Sequence, residues 1–153
     1  MILTKFVLRH ALPSDIDEIF LLSRELAIHE KMDIIDQGNP DSLKIHLFGE
    51  KAYANCIVAE LENHLIGYCL YFYTYSSGLT RPFIYMGDLY VKEEFRKLGV
   101  GKALFQELVS FCKLNNIIKL EWTVSSWNHK AMDFYEALGG NIAGDWLSYE
   151  LKF

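Results

Sequence analysis

The sequence predicts an α+β domain built on a mixed central sheet flanked by helices. Three observations carry this. Apolar residues recur with helical period at Ile16, Ile19, Phe20, Leu22, Leu26 and Ala27, and again at Val100, Leu104, Leu108, Phe111 and Cys112. Between these stretches, residues 54–91 read as three β-rich segments separated by turn residues, the pattern of an antiparallel meander. A further strand and a further amphipathic helix follow, so helices and strands do not strictly alternate.

Taken in order, residues 4–9 read as a first strand. Pro13-Ser14-Asp15 opens a helix, with Ser14 as the N-cap and Asp15, Asp17 and Glu18 in the first turn, and the apolar period carries it to about Met32. Asn39-Pro40-Asp41 punctuates the chain, and a shorter helix is expected to reach Phe48. Strands follow at 55–60, 65–75 and 83–91, joined by a turn at 62–64 and a loop at 76–82. The helical period returns over 99–115, and 119–124 reads as a strand. Asn128 caps a helix running to Leu138, where Gly139 is a suitable stop. Residues 146–152 are expected to close the sheet as a last strand.

At 153 residues the chain fits one domain, taken as 1–153, and is long enough to bury a core. No repeat, low-complexity tract or linker divides it. A net charge of −5 argues against nucleic acid as a partner and is compatible with a cationic substrate. No segment reaches the roughly 18 uninterrupted apolar residues of a membrane span. Lys5, Arg9 and His10 interrupt the first apolar run, which reads as a strand and not as a leader. Cys56, Cys69 and Cys112 are odd in number and each sits in an apolar run, as expected of buried free thiols in a reducing cytoplasm. No Cys/His spacing has the form of a metal site.

The most informative stretch is Arg96-Lys97-Leu98-Gly99-Val100-Gly101-Lys102, between a strand and a helix. The start of a helix offers unpaired N–H groups and the positive end of the helix dipole, which together attract phosphate. Gly99 and Gly101 let a ligand approach the backbone, and Arg96, Lys97 and Lys102 add cationic donors. Two commoner phosphate motifs do not fit. Leu104 stands where a dinucleotide fingerprint needs Gly or Ala, and Ala103 stands where a Walker loop needs Ser or Thr.

Val91, the Arg96–Gly101 turn, Asn128 and Phe134-Tyr135-Glu136-Ala137-Leu138-Gly139 together resemble the acetyl-CoA-binding half of the GNAT superfamily of N-acetyltransferases. The likeness extends through Arg24-Glu25-Leu26-Ala27-Ile28-His29-Glu30-Lys31, Tyr71-Phe72, Tyr75-Ser76, Arg81-Pro82, Asp88-Leu89-Tyr90-Val91, Glu121-Trp122 and Trp127-Asn128. These residues are similar to the spermidine/spermine and thialysine acetyltransferase branch. The resemblance implies a GNAT-like acyl-CoA N-acyltransferase fold and acetyl-CoA as cofactor. It implies direct acetyl transfer to a small primary amine: a polyamine, thialysine or a related lysine-like amine. It also implies a homodimer.

By resemblance, pantetheine pairs with the backbone of Leu89, Tyr90 and Val91, and the Leu89 N–H polarises the thioester carbonyl. Lys97, Leu98, Gly99, Val100, Gly101 and Lys102 hold the diphosphate with Arg96 nearby, and Asn128, Lys130 and Ala131 contact the cofactor arm. Tyr135 is expected beside the sulfur as the acid that protonates the leaving thiolate; a thiol titrates near about 8.5 and a tyrosine near about 10. His29, Glu30, Asp88, Glu121 and Trp122 are the acceptor-side candidates.

The chain departs from the branch on that acceptor side. Where a Glu-Asp pair is usual it has Gly87-Asp88, so the carboxylate expected to take the amine proton is missing. In a regular strand Asp88 would face away from its neighbour and away from the cleft. A lysine-like amine has a pKa of about 10.4, so freeing it at neutral pH costs roughly 4–5 kcal/mol, which a base or a desolvating pocket must offset. His29 stands where a tyrosine is usual, Gly78 where an aromatic is common, and Ser126 where an aspartate is frequent. These departures predict a shifted acceptor preference on an intact cofactor side. The alternative is a catalytically weak module that binds acetyl-CoA as a sensor or partner subunit. Tyr71, Tyr73 and Tyr75, in step on one strand face, are either core or the lining of the acceptor cleft or a dimer seam.

Overall fold

The computed structural model describes residues 5–33 and 38–153. The chain forms two compact units, one running to Trp122 and one from Thr123 to Phe153. The first unit holds β1 (Val7–His10), α1 (Ile16–His29), α2 (Pro40–Phe48), β2 (Asn55–Leu61), β3 (His64–Ser76), β4 (Arg81–Val91), α3 (Val100–Leu114) and β5 (Leu120–Glu121). The second holds α4 (His129–Ala137).

Among the described residues the strands form one sheet in the order β1-β2-β3-β4-β5. The first four pair antiparallel, and β5 joins β4 in parallel, which makes the sheet mixed as expected. Glu62 and Asn63, both at positive φ, make a two-residue hairpin turn between β2 and β3. One sheet face packs on α1 and α2 through Ile19, Leu22, Leu26, Leu47, Cys56, Val58 and Tyr68, all buried. The other packs on α3, whose Val100, Leu104, Leu108 and Cys112 are buried. All three cysteines are free and buried.

Several boundaries differ from expectation. The start of the first strand at Thr4 lies outside the described residues, and the strand extends to His10. Ser14 caps nothing; a short turn at Pro13–Asp15 precedes α1, and the Asp15 carboxylate accepts the Leu12 N–H at 2.7 Å. Asp15 also takes the Arg9 guanidinium at 2.7 and 2.9 Å, which holds its carboxyl below the usual range. α1 stops at His29 because Lys31 turns left-handed (φ 59°), and the Met32 N–H then bonds back to Ala27 O. The strand expected over 119–124 shrinks to Leu120–Glu121. Residues 146–152 are not a strand: the apolar alternation is present, but no ladder among the described residues engages it, and Trp146, Leu147, Tyr149 and Leu151 are exposed. No helix among the described residues is long and apolar enough to cross a membrane.

Candidate active site

The site is organised by one irregularity in β4. Ile84 N–H donates to Lys119 O on the β5 side (3.1 Å), whereas Lys92 N–H donates to Ile66 O on the β3 side (2.9 Å). Eight residues apart on a regular strand, both would point the same way. The register explains the switch. Asp88 pairs with Leu70 and Met86 with Tyr71, so Gly87 is an extra residue, a β-bulge. Past the bulge, Leu89 and Val91 turn their N–H and C=O groups away from β3. On that side, among the described residues, the ladder to β5 ends at Tyr85. A stretch of β4 backbone is therefore presented at an edge inside the fold.

Arg96 fixes the lower end of that edge. Its Nε donates to Val91 O at 2.9 Å, and its guanidinium lies 5.4 Å from the Tyr90 ring centre. Arg96 thus pins the following turn to β4 and is not simply a solvent-facing cation. Lys97 (φ 63°) and Gly99 (φ 84°) then reverse the chain into α3. A Cβ at Gly99 would meet nothing within 4 Å, so glycine is needed there for its left-handed backbone and not for protein packing. The first bond of α3 runs from Ala103 N–H to Gly99 O at 2.9 Å. The N–H groups of Val100, Gly101 and Lys102 precede it and point out of the helix end, with Lys97 and Lys102 exposed beside them.

The bulge also decides where positions 87 and 88 point. A Cβ built on Gly87 would lie 3.2 Å from Leu70 Cδ2 and 3.6 Å from Phe72 Cε1, on the α1 face of the sheet. Asp88 faces the same way: its Oδ2 accepts the Tyr68 hydroxyl at 2.8 Å. The expectation that Asp88 turns away from its neighbour is corrected, because consecutive residues at a bulge share a face. Glu30, at the C-cap of α1, comes within electrostatic reach of Asp88. Burial raises the Glu30 carboxyl above its ordinary range, and the Asp88 charge raises it further. Burial also raises Asp88, against the Tyr68 hydrogen bond, which lowers it.

The other residues expected on the acceptor side separate. Glu121 pairs in register with Tyr85 and shares the α1 face, but Lys119 Nζ sits 2.9 Å from its carboxylate. Trp122 packs edge-on against Phe105 of α3 (ring centres 5.3 Å apart), on the opposite face. His29 is exposed on the last turn of α1. Tyr71 and Tyr73 contact Phe111 of α3, so Tyr71 is core and Tyr73 its half-exposed neighbour; neither lies on the Asp88 face. In the second unit, Asn128 Oδ1 accepts the Ala131 N–H at 3.1 Å and caps α4 as expected, with Lys130 and Ala131 in its first turn. Tyr135 is half-buried, edge-on to Phe134 at 5.1 Å. Gly139 (φ 93°) stops α4, and Gly140 N–H returns to Tyr135 O at 2.9 Å.

The family model described as "Acetyltransferase (GNAT) family" matches residues 16–140. The chain belongs to the GNAT acetyltransferase family. It is 33% identical to a thialysine N-ε-acetyltransferase of Bos taurus, over 87% of this chain and 82% of that protein. It is 28% identical to a spermidine/spermine N(1)-acetyltransferase-like protein of Homo sapiens, over 88% of this chain and 20% of that longer protein. The fold is that of an aminoglycoside N-acetyltransferase solved in complex with CoA, with a TM-score of 0.77 at 14% identity, over 97% of this chain and 96% of that one. The chain is thus an acetyl-CoA-dependent N-acetyltransferase, similar to thialysine and spermidine/spermine acetyltransferases.

Two residues of this acetyltransferase escape sequence reasoning. Tyr68 reads as a core aromatic, and its hydroxyl partner emerges only from the bulged register. Tyr90 donates to Glu25 of α1 at 3.1 Å, a tie between β4 and the first helix that no local pattern signals.

Proposed function

We propose that this acetyltransferase moves the acetyl group of acetyl-CoA onto a small, lysine-like primary amine, with Asp88 taking over proton acceptance from the residue absent at position 87. The observation that carries this reading is the shared face of Gly87 and Asp88. The bulge puts the Asp88 carboxylate on the side to which a position-87 side chain would point.

The residues present fit the cofactor. The β4 edge at Leu89, with the Val91 carbonyl already held by Arg96, offers backbone pairing for a pantetheine-like chain, and the N–H groups of Val100, Gly101 and Lys102 suit a diphosphate. Leu98, Gly99 and Lys97 complete that turn, while Tyr90 and Arg96 support it from beneath. When bound, acetyl-CoA supplies an acetyl group activated as a thioester. The Leu89 N–H is the donor that polarises a carbonyl oxygen at the edge. Glu30 and Asp88 attract the cationic acceptor, and Asp88 accepts its proton directly or through water. Asn128, Lys130 and Ala131 contribute to the cofactor arm, and Tyr135 supplies a proton to the leaving thiolate. The family match runs through the boundary at Trp122, which supports one catalytic domain over 1–153. Buried free cysteines suit a cytoplasmic enzyme, and the branch resemblance supports a homodimer.

With Glu121 neutralised by Lys119, the acceptor face offers fewer unpaired anions to a second cationic nitrogen. Acetylation rates across an amine panel are therefore expected to favour lysine-like amines over spermidine. Spermidine emerging as the best substrate by a wide margin would refute this preference. A Cβ at position 87 needs only the Leu70 methyl to give by a few tenths of an ångström, and Gly87→Glu is expected to raise the rate on spermidine roughly tenfold, about 1.4 kcal/mol of barrier. An unchanged rate would mean that position 87 does not limit polyamine turnover.

Gly99→Ala is expected to cost about 1 kcal/mol of stability in denaturant melts, because alanine resists the left-handed turn. It should also weaken acetyl-CoA binding severalfold in calorimetry. Wild-type values in both assays would remove the turn from the cofactor site.

A further inference from the structure

We propose that Tyr68 is a positioning residue for acetyl transfer: its buried hydroxyl holds the Asp88 carboxylate by one oxygen so that the other receives the amine proton. The inference rests on Asp88 as proton acceptor and goes beyond it, since it assigns a role to a residue that touches neither acceptor nor cofactor.

The geometry is specific. Tyr68 is fully buried on β3, within the α1 face of the core. A phenol hydroxyl in such a place is costly unless it is hydrogen-bonded. Its partner is Asp88 Oδ2 at 2.8 Å, across the β3–β4 ladder and directly beyond the bulge. A phenylalanine would fill the same volume without a polar atom, so the hydroxyl is not required for packing. What it adds is one charge-assisted hydrogen bond to a carboxylate that has left water. That bond sets the rotation of the carboxylate and engages Oδ2, leaving Oδ1 as the atom that gains the proton.

The same bond tunes when Asp88 is ionised. Among the described residues, the titratable groups within electrostatic reach of Asp88 are Glu30 from α1, Cys56 from β2 and Tyr68 from β3 on its own face, and Cys69 on the opposite face of β3. Glu30 is acidic, and both thiols are held well above their ordinary range by burial, so they stay neutral. The Tyr68 hydroxyl is also held neutral and donates. Among these groups, Tyr68 is the one whose hydrogen bond favours the carboxylate, opposing the upward push of burial. Proton transfer then reads as follows: the ammonium N–H bond breaks, the proton passes to Asp88 Oδ1, and the amine keeps the electron pair. The resulting carboxylic acid returns its proton to solvent.

The test is the pH profile of kcat/KM for wild type, Tyr68→Phe, Asp88→Asn and the double variant, at saturating acetyl-CoA with one amine acceptor. Loss of the hydroxyl removes the interaction that lowers the Asp88 pKa, so the acidic limb of Tyr68→Phe is expected to move to higher pH. Its plateau is expected to fall about tenfold while acetyl-CoA affinity is kept. In the Asp88→Asn background the same change is expected to have no further effect. If Tyr68→Phe leaves limb and plateau in place while Asp88→Asn abolishes the limb, Tyr68 has no positioning role and Asp88 stands as the base. If Tyr68→Phe lowers the rate equally with and without Asp88, its role is structural and the proposal fails. If Asp88→Asn retains the wild-type limb, the base assignment fails and this proposal with it.

Discussion

Asp88→Asn is expected to lower kcat/KM by about 10²–10⁴-fold, the range that a positioned proton acceptor contributes, and to make the protein no less stable. The two outcomes have one cause. Burial raises the Asp88 carboxyl above its usual range, so the folded protein disfavours the charged form that catalysis needs. Between its unfolded and its elevated folded pKa, the folded state binds more protons than the unfolded state. Stability contributed by this group therefore falls as pH rises through that window. Asparagine keeps an acceptor for the Tyr68 hydroxyl and removes the charge. At neutral pH the variant should melt at or above the wild-type temperature, and the difference should vanish below the carboxylate range. Glu30, raised by burial and by Asp88, adds to the same penalty. Paired melting curves and pH–rate profiles check this. A variant that loses activity and stability together would mark Asp88 as structural.

Tyr135→Phe is expected to lower kcat by roughly 10²-fold and to leave acetyl-CoA affinity unchanged, as removal of a proton donor to the leaving group should. The substitution is mild for the helix. The edge-on contact with Phe134 survives, and the Tyr135 carbonyl still accepts the Gly140 N–H that ends α4. Stopped-flow or steady-state turnover with calorimetric binding separates the effects. Unchanged turnover would take Tyr135 out of the acid role, and lost affinity with unchanged turnover would make it a cofactor contact.

Sequence reading finds the parts of this protein that depend on local chemistry. The α3 cradle is legible because Gly99 and Gly101 sit between a strand and an amphipathic helix, and the left-handed φ of Gly99 bears out the turn. The cap at Asn128 and the stop at Gly139 follow from residue type, and each makes the expected bond or turn. The acceptor side is less legible because it depends on register. Strict alternation puts Gly87 and Asp88 on opposite faces; one inserted residue puts them on the same face. The same phase decides that Trp122 meets α3 while Glu121 does not, and that Tyr68 points at a carboxylate. Periodicity suggests a closing strand at 146–152, yet a strand also needs a paired edge, and none engages these residues.

The most direct measurement is release of free CoA thiol from acetyl-CoA by the purified protein, followed with and without a lysine-like amine. Amine-dependent thiol release, matched mole for mole by acetylated amine and rising through an acidic limb that Asp88→Asn abolishes, is the predicted result. Thiol release that does not exceed the amine-free rate for any primary amine, from protein that still binds acetyl-CoA, would contradict it.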